Sequence, residues 1–484
     1  MLAILFGLLG IFSTNGFSEN PKAFPVSDTI RLSKKKIDYD TSHYLTVNRI
    51  FIIGNNKTRD QIILRELSLH QGDVVDSTEL ILILERDKKK LYNTRLFNKT
   101  DVRTLEFEPG KIDILVDVNE RWYTFPTPRF ELSDRNFNEW WENYNHDINR
   151  VVYGIKLYQY NMRGRNETLL ITALLGFQRK LSLIYRVPYL NKKQKSGLIF
   201  DFDFSEAKNV AYRTLDHILV YEKSRSLQEY STLTGLTYTY RNSFYQTHSL
   251  RAEYSTDWIS DSILFKNENY FGPGIRRQYY GGLTYQFLSE HRDVVAYPLN
   301  GYQTLAIISK SGLGLGDNLN KFEINLSLAN YKDLKNGFYF SNYANAYWST
   351  SHGVPYANYS ALGYRKQFVK GYETYVIEGP YYFLNKATLK KRVLARKINW
   401  ELMPRGFEYI PLAIYLKTYC DLGYVKNYPY YEENNFNTRL SNTLLAGVGG
   451  GFDIVASYDL VLRLEYTMNI QGKNGLYFHI KKEF

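Results

Sequence analysis

The segment 460–470 reads LVLRLEYTMNI and alternates between apolar and polar side chains. Its even-numbered positions, from Leu460 to Ile470, are apolar, whereas its odd-numbered positions include Arg463 and Glu465. Successive side chains of a β-strand point to opposite faces of the sheet. The segment therefore predicts a strand with one face suited to lipid and the other to water, as in the wall of a transmembrane barrel. A soluble β-sandwich also alternates, with its polar face turned outward.

Strand-like segments of this kind extend from about Thr124 to Phe484. At about 22 residues per strand and loop, this length corresponds to about 16 antiparallel strands. In the segment 414–422 the alternation turns Asp421 to the polar side. We therefore predict that residues 124–484 form an all-β transmembrane barrel.

The composition excludes several other classes of protein. Mean hydropathy is −0.39, and beyond the N-terminus no stretch approaches the roughly 20 apolar residues of a membrane helix, which excludes a polytopic helical membrane protein. The 44 tyrosines suit strands and membrane interfaces. The single cysteine, Cys420, excludes a cluster of thiolate metal ligands. The net charge is +12, but the sequence contains no nucleic-acid-binding motif, so we predict no nucleic-acid partner.

The N-terminus carries an apolar run from Leu2 to Phe12, followed by small and polar residues. This run is too short to span a bilayer and indicates a signal peptide over residues 1–19, although it lacks a positively charged start. A buried first strand or helix is the alternative. Residues 20–46, which include three consecutive lysines from Lys34, are interpreted as a polar linker.

Residues 47–122 have a different pattern, which predicts a small α/β unit. A strand at 47–53 is followed by a helix for which Thr58 is the expected cap, and then by a second helix that opens at Ser77 or Thr78. Two further strands, at 102–107 and 112–118, are separated by a Pro-Gly turn. The predicted order is strand, helix, helix, strand, strand.

The landmarks of this unit resemble those of a POTRA domain, the periplasmic module of BamA, TamA and the two-partner secretion pores. They are Ile52-Ile53-Gly54-Asn55, Thr58, Arg65-Glu66-Leu67, Gly72-Asp73, Leu91-Tyr92-Asn93-Thr94-Arg95-Leu96-Phe97 and Val118-Asn119-Glu120-Arg121. We find one copy of this pattern. The resemblance implies one N-terminal periplasmic α/β POTRA domain ahead of an outer-membrane barrel.

A second resemblance concerns the segment Phe368-Val369-Lys370-Gly371-Tyr372, which is similar to the VRGF or VRGY loop motif of the BamA superfamily. The resemblance implies that this loop folds into the barrel and that its basic residue contacts an acid on the inner wall. Lys370 stands at the arginine position and lacks the planar fork of a guanidinium. We expect Asp421, in a segment that resembles the family's xDxG strand motif, to be the first candidate partner, and Glu465 the second. The alternative is that Lys370 is a solvated loop charge.

The two ends of the predicted barrel carry the remaining candidate residues. Phe478, Ile480 and Phe484 share one face of the last segment and resemble the C-terminal signal of outer-membrane barrels, from which Lys482 departs. Pro126 and Pro128 lie at the predicted first strand and cannot donate backbone hydrogen bonds. They either weaken the seam between the first and last strands or mark a linker after the POTRA domain.

The resemblance implies insertion of barrel proteins into an outer membrane, or polypeptide passage across it, by strand templating at the seam and at the POTRA edge. The implied partners are unfolded outer-membrane or secreted polypeptides, outer-membrane lipid and accessory assembly subunits. A two-partner secretion pore is the alternative, and a passive or enzymatic barrel is the third class. No catalytic or metal-binding motif is found, and the nearest acid/base pairs are His291 with Asp293 and His146 with Asp147. We therefore predict no enzyme activity, metal or cofactor.

Overall fold

The computed structural model describes residues 44–132, 140–141, 145–191, 195–224, 226–314, 316–364, 367–399, 409–456 and 460–480. The predicted signal peptide (1–19), nearly all of the predicted linker (20–46) and Phe484 lie outside these ranges. No helix within the described ranges is long and apolar enough to cross a membrane.

The N-terminal unit is a four-stranded sheet covered by two helices. Its elements are β1 (Tyr44–Ile53), α1 (Asp60–Leu64), β2 (Val74–Asp76), α2 (Ser77–Asn93), β3 (Phe97–Glu108) and β4 (Lys111–Glu120). The strand order is β2-β1-β4-β3, with β1 parallel to β4 and the other pairs antiparallel. Ile63, Leu91 and Val116 are fully buried in its core. The order of elements is the one predicted from the sequence except for β2, a three-residue strand between the two helices that the prediction missed.

Two helix starts differ from the sequence-based expectation. The Thr58 hydroxyl donates to Glu120 (2.5 Å) and does not cap α1, whose cap residue Arg59 has no side-chain cap bond. Asp76, one residue before the predicted start of α2, accepts a hydrogen bond from the Thr78 amide at 2.8 Å. A carboxylate at this position satisfies one of the free amides at the helix start.

The rest of the chain is dominated by a 16-stranded antiparallel sheet, which confirms the predicted barrel class and strand number. Its strands are β5 (Thr124–Leu132), β6 (Val151–Met162), β7 (Glu167–Gly176), β8 (Gln178–Val187), β9 (Ser196–Ala207), β12 (Glu229–Arg241), β13 (Gln246–Ile259), β14 (Arg277–Glu290), β15 (Gly301–Ser311), β16 (Lys321–Lys335), β17 (Phe338–Ser349), β20 (Tyr381–Asn399), β21 (Tyr409–Lys426), β22 (Leu444–Ala456), β23 (Leu460–Asn469) and β24 (Asn474–Ile480).

Shorter elements lie in the loops of this sheet. They are the hairpin β10 (Asn209–Leu215) and β11 (Ile218–Lys223), the ladder of β18 (Ala361–Leu362) with β19 (Ile377–Glu378), and the helices α3 (Asp261–Lys266) and α4 (Pro429–Glu433). The sequence patterns gave no indication of the two helices, because each spans at most six residues and is too short to show a helical period.

The alternation of the strands is realised in the structure. Leu464 and Phe478 are 43% and 57% exposed on the outer face, whereas Glu465 and Lys417 are 1% and 2% exposed on the inner face. Because neighbouring residues in register share a face, one ladder links Lys417 through Gly451 to Glu465. The inner face of β21–β23 therefore carries buried charged side chains.

The POTRA-like unit packs against the turns at one end of the barrel. Glu66 receives two hydrogen bonds, at 2.9 and 3.2 Å, from Arg241, the last residue of β12. Asn161, near the end of β6, donates to Thr58 at 2.8 Å. Asn93 reaches the carbonyl of Asp293, in the turn after β14, at 3.4 Å. The contacts of this unit thus extend from β6 to β14 along the rim.

The opposite end is covered by what we call the cap: the hairpin β10–β11, the ladder β18–β19 and residues 427–443, which include α4. The His217 carbonyl accepts from the Val376 amide at 2.8 Å, and its Nε2 accepts from the Leu440 amide at 2.9 Å. Arg439 and Asp216 form an ion pair at 2.8 Å. These contacts join three loops that are far apart in the sequence.

Candidate functional site

The loop between β17 and β20 carries the segment Val369–Tyr372, which we call the tip. The β18–β19 ladder closes the base of this loop, with Ala361 opposite Glu378. All four residues of the tip are buried. The loop therefore folds inward and places the tip against the inner wall.

Lys370 contacts two acidic residues in different ways. Its Nζ lies 2.8 Å from Oε1 of Glu465 and 3.5 Å from the ring centre of Tyr419. Its backbone amide donates to Oδ2 of Asp421 at 3.2 Å. Both of the candidate acids thus meet Lys370: Glu465 holds the ammonium group, and Asp421 holds the backbone.

The ion pair of Lys370 is part of a larger buried network. Glu465 also contacts Lys417 at 2.8 Å, and Lys417 contacts Asp453 at 2.5 Å. Asp453 is further bound by Arg463 at 3.1 Å and by the hydroxyl of Tyr297 at 2.9 Å. Charges this deeply buried are stabilised only when they are paired and hydrogen-bonded.

Glycines of the inner wall make room for the tip. A Cβ atom at Gly447 would lie 1.8 Å from the carbonyl oxygen of Lys370, and one at Gly423 would lie 2.4 Å from Val369. Gly371 itself has φ +86°, a conformation that favours glycine. Sequence reasoning did not single out the strand glycines of the segment GVGGG (447–451), although glycine within a strand can mark a close approach of another backbone.

Hydrogen bonds of the backbone also hold the tip against the inner wall. The Gly371 carbonyl accepts from Asn469 at 2.7 Å, and its amide donates to Glu373 at 2.7 Å. Asn469 ends β23, the strand that also carries Glu465. The tip is thus attached to β23 by the Lys370 side chain and by the Gly371 carbonyl.

The two ends of the barrel sheet form the seam, which we define as the edges of β5 and β24. The strand order begins at β5 and ends at β24, and no ladder within the described residues joins the two. Pro126 and Pro128 are exposed in β5 and lie opposite Leu157 and Ile155 of β6. Being two residues apart, they remove two donors from the same side of β5.

The C-terminal residues of the sequence prediction are described in part. Phe478 lies on the outer face of β24 and is paired in register with Leu464. Ile480 is paired with Leu462 by its backbone. Phe484 lies outside the described residues.

The histidine pairs considered as catalytic candidates have other contacts. The ring of His291 stacks between Tyr245 and Tyr302, with ring centres 4.2 and 4.3 Å away. The carboxylate of Asp293 accepts backbone amides of its own turn. Asp147 likewise accepts from the amide of Asn149. Within the described ranges, no group of three or more His, Cys, Asp or Glu side chains could hold a metal ion.

The cap contains a buried carboxyl at Glu378. Thr214 and Tyr431 donate to it at 3.0 and 2.6 Å, and Tyr364 lies at 3.4 Å. Burial raises the pKa of this carboxyl from 4.5 to about 7. The raised pKa stabilises the closed cap below pH 4.5, and this contribution is lost as the pH rises through about 7.

We expect the cap to open more often as the pH rises from 5 toward 7. Raising the pH from 5 to 6 should increase the open fraction by up to about tenfold, because Glu378 then ionises in the open cap but stays protonated in the closed one, and one pKa unit corresponds to a tenfold change. Single-channel recording in planar bilayers would measure this as the frequency of open events. Glu378→Gln cannot ionise and should show no change across this range. A pH-independent open frequency in the unmodified protein would contradict the role of Glu378.

Both parts of the chain are similar to known proteins. Residues 45–121 match the POTRA family, described as "Surface antigen variable number repeat". A 76-residue stretch is 32% identical to the outer membrane protein assembly factor BamA of Nitratidesulfovibrio vulgaris; it covers 16% of this chain and 9% of that protein. The crystal structure of Haemophilus ducreyi BamA lacking POTRA domains 1–3 aligns with a TM-score of 0.51 at 13% identity, over 90% of this chain and 83% of that one.

The chain thus joins a POTRA domain to a barrel that has the fold of BamA. Escherichia coli CdiB has the same fold, with a TM-score of 0.55 at 9% identity over 91% of this chain and 76% of CdiB. These likenesses to solved structures concern the fold, because their sequence identity is low.

Proposed function

We propose that this POTRA-barrel protein inserts other β-barrel proteins into the outer membrane or carries polypeptides across it. Its clients in this proposal are unfolded outer-membrane or secreted polypeptides, and accessory assembly subunits are further partners. The POTRA domain lies in the periplasm. The observation that carries the proposal is the seam, where β5 and β24 end the sheet without a ladder between them in the described residues.

The seam offers a template for an extended polypeptide. An edge strand presents unpaired backbone groups, and an incoming strand can pair with them by β-augmentation. This step requires backbone hydrogen bonds and neither a catalytic side chain nor a nucleotide. The two prolines of β5 weaken pairing along one side of that strand, which favours exchange of its neighbour.

The POTRA domain supplies a second edge at β2. Beside this strand, Val74, Ile81 and Leu82 are 64%, 71% and 69% exposed. An extended client could pair with β2 and place its apolar side chains on these three residues. In this proposal the POTRA domain captures the client before the seam receives it.

The tip braces the wall beside the seam. Glu465 and Asn469 both lie on β23, which is the only neighbour of β24 in the described sheet. Through Lys370, the loop thus holds the strand next to the free edge. We propose that this contact keeps the edge in register while the seam exchanges partners.

We expect Lys370→Ala to lower assembly activity at least tenfold while the barrel remains folded, because the variant removes the ammonium group from Glu465 and leaves the strands intact. The measurement is a census of outer-membrane barrels and secreted proteins after depletion of the wild-type protein and expression of the variant. Lys426→Ala, which removes an exposed ion pair with Glu432, is the matched control. Full activity of Lys370→Ala would remove the tip from the mechanism.

The same census separates the two forms of the proposal. Loss of many barrel proteins after depletion would support insertion. Loss of one secreted protein with normal barrels would instead identify a secretion pore. Normal levels of both classes would contradict the proposed function.

A further inference from the structure

A cavity of about 920 Å³ lies between the POTRA domain and the rim of the barrel. It is open to the surroundings and combines guanidinium groups with apolar side chains. Its lining includes Arg59, Leu64, Arg65, Arg165, Tyr189 and Leu190. The proposed insertion function makes no use of this cavity.

The cavity carries excess positive charge. Three arginines line it, and no carboxylate is among the lining residues. The nearby Glu66 is shared between Arg65, at 3.6 Å, and Arg241, at 2.9 Å. Two guanidinium groups on one carboxylate leave a net positive charge that an anion would balance.

A second carboxylate beside the cavity is shared in the same way. Glu167 is paired with Arg163 at 2.8 Å and with Arg165 at 3.7 Å. The five arginines at or beside the cavity therefore share two glutamates, while Asp73 lies beside the lining residue His70, at 3.5 Å. This surplus of guanidinium groups suits a phosphate, whose oxygens accept paired N–H donors.

Arg65 is positioned for such a ligand. Its side chain is 12% exposed, and its guanidinium lies 4.0 Å from the ring centre of Tyr189. Its buried Nη1 has no hydrogen-bond partner within the described residues. A buried N–H group without a partner is costly, so a ligand that accepts its hydrogen bond gains affinity.

The cavity lies next to the boundary of the apolar outer face. Leu169, Tyr185 and Phe200 are paired in register on that face, near the POTRA end of β7, β8 and β9. The Tyr185 hydroxyl accepts from Arg163 at 2.9 Å, as expected for a tyrosine at a membrane interface. Arg165 follows Arg163 by two residues, so the cavity lies at the level of the lipid headgroups.

We propose that this cavity binds the phosphate of an anionic phospholipid from the adjacent leaflet. Free phosphate shares the same recognition chemistry. The lipid is favoured because Leu64 and Leu190 line the cavity beside the arginines, and Leu190 is 50% exposed. The bound lipid links the POTRA domain to the membrane below β6–β9, close to β5 and the seam.

The test uses the full-length protein in a zwitterionic detergent and dihexanoyl phosphatidylglycerol as the probe, with binding measured by calorimetry. The double variant Arg59→Gln/Arg65→Gln should weaken binding at least about tenfold, because it removes two charged donors. Arg179→Ala, at the other end of β8 and paired with Glu206, should bind the probe as the wild type does. Equal affinity of the double variant and the wild type would overturn the proposal.

Two further arms identify the source of the phosphate. Inorganic phosphate at the same concentration should not displace the lipid probe, and dihexanoyl phosphatidylcholine should bind more weakly than phosphatidylglycerol. Displacement by inorganic phosphate at equal concentration would show a free-anion site and overturn the lipid assignment. Folding of the double variant is checked by the heat-induced mobility shift of the barrel on gels, which must equal that of the wild type. If the double variant misfolds, Arg59→Gln alone provides the test, because Arg59 is exposed.

Discussion

Replacement of Gly447 by valine should expel the tip from the inner wall and abolish assembly activity. The Lys370 carbonyl oxygen lies 1.8 Å from the place of the new Cβ, so the side chain and the docked loop cannot coexist. Overpacking at a rigid contact costs about 3 kcal/mol or more, which shifts the docked population by about 100-fold. Limited proteolysis of the loop and the client census measure the two consequences.

Gly450→Ala is the matched control for this substitution. Gly450 lies on the opposite face of the same strand, where a Cβ would be 3.3 Å from the Lys417 carbonyl oxygen. This contact is tight but does not involve the tip, so the loop should remain protected from protease. A protected loop and full activity in Gly447→Val would show that docking of the tip does not require a glycine at position 447.

Glu465→Gln should have the second large effect, on stability as well as activity. Glu465 is the shared partner of Lys370 and Lys417, both at 2.8 Å. Without its charge, two buried ammonium groups lose their common counter-ion, and Asp453 must serve Lys417 and Arg463 alone. Breaking a buried ion pair in this way costs about 3–5 kcal/mol. Denaturant unfolding followed by gel mobility would measure the loss.

A glutamate elsewhere in the barrel provides the comparison. Glu253 is paired with Arg251 at 2.6 Å, but Arg251 keeps Asp201 as a second partner. Glu253→Gln should therefore cost about 1 kcal/mol or less. In addition, Glu465→Gln/Lys370→Met should be more stable than Glu465→Gln alone, since one unpaired charge is removed. Equal stabilities for Glu465→Gln and the wild type would contradict the network.

The fold was predictable because it depends on local patterns. The period of two in 460–470 is a property of the strand itself, and it places Arg463 and Glu465 on the inner face without knowledge of neighbouring strands. Apart from β2, whose three residues are too few to show a period, the order of elements in the POTRA domain followed from turns and helix periodicity in the same way. Strand number followed from chain length divided by an average strand and loop.

Contacts between distant segments were less accessible to sequence reasoning. The choice between Asp421 and Glu465 as partners of Lys370 depends on how far the loop enters the barrel, and spacing along the chain does not determine that depth. The structure uses both acids, one for the side chain and one for the backbone. The cap depends on contacts such as that of His217 with Leu440, 223 residues apart, for which the sequence gives no signal.

Thr58 shows how tertiary contacts override a local preference. A threonine ahead of a helix favours a cap, yet the hydroxyl of Thr58 donates to Glu120 and accepts from Asn161 near the end of barrel strand β6. The residue thus joins the POTRA domain to the barrel. Sequence patterns within 47–122 alone could not reveal this second partner.

Site-specific photocrosslinking during client insertion tests the central claim most directly. A crosslinker placed at Phe130 of β5 or Leu476 of β24 should form adducts with an arriving client, because both residues lie on the strands that bound the seam. The same crosslinker at Tyr254 of β13, an equally lipid-exposed position in the middle of the sheet, should form few. Equal yields at the three positions, or none at Phe130 and Leu476 while clients still assemble, would contradict the proposed seam.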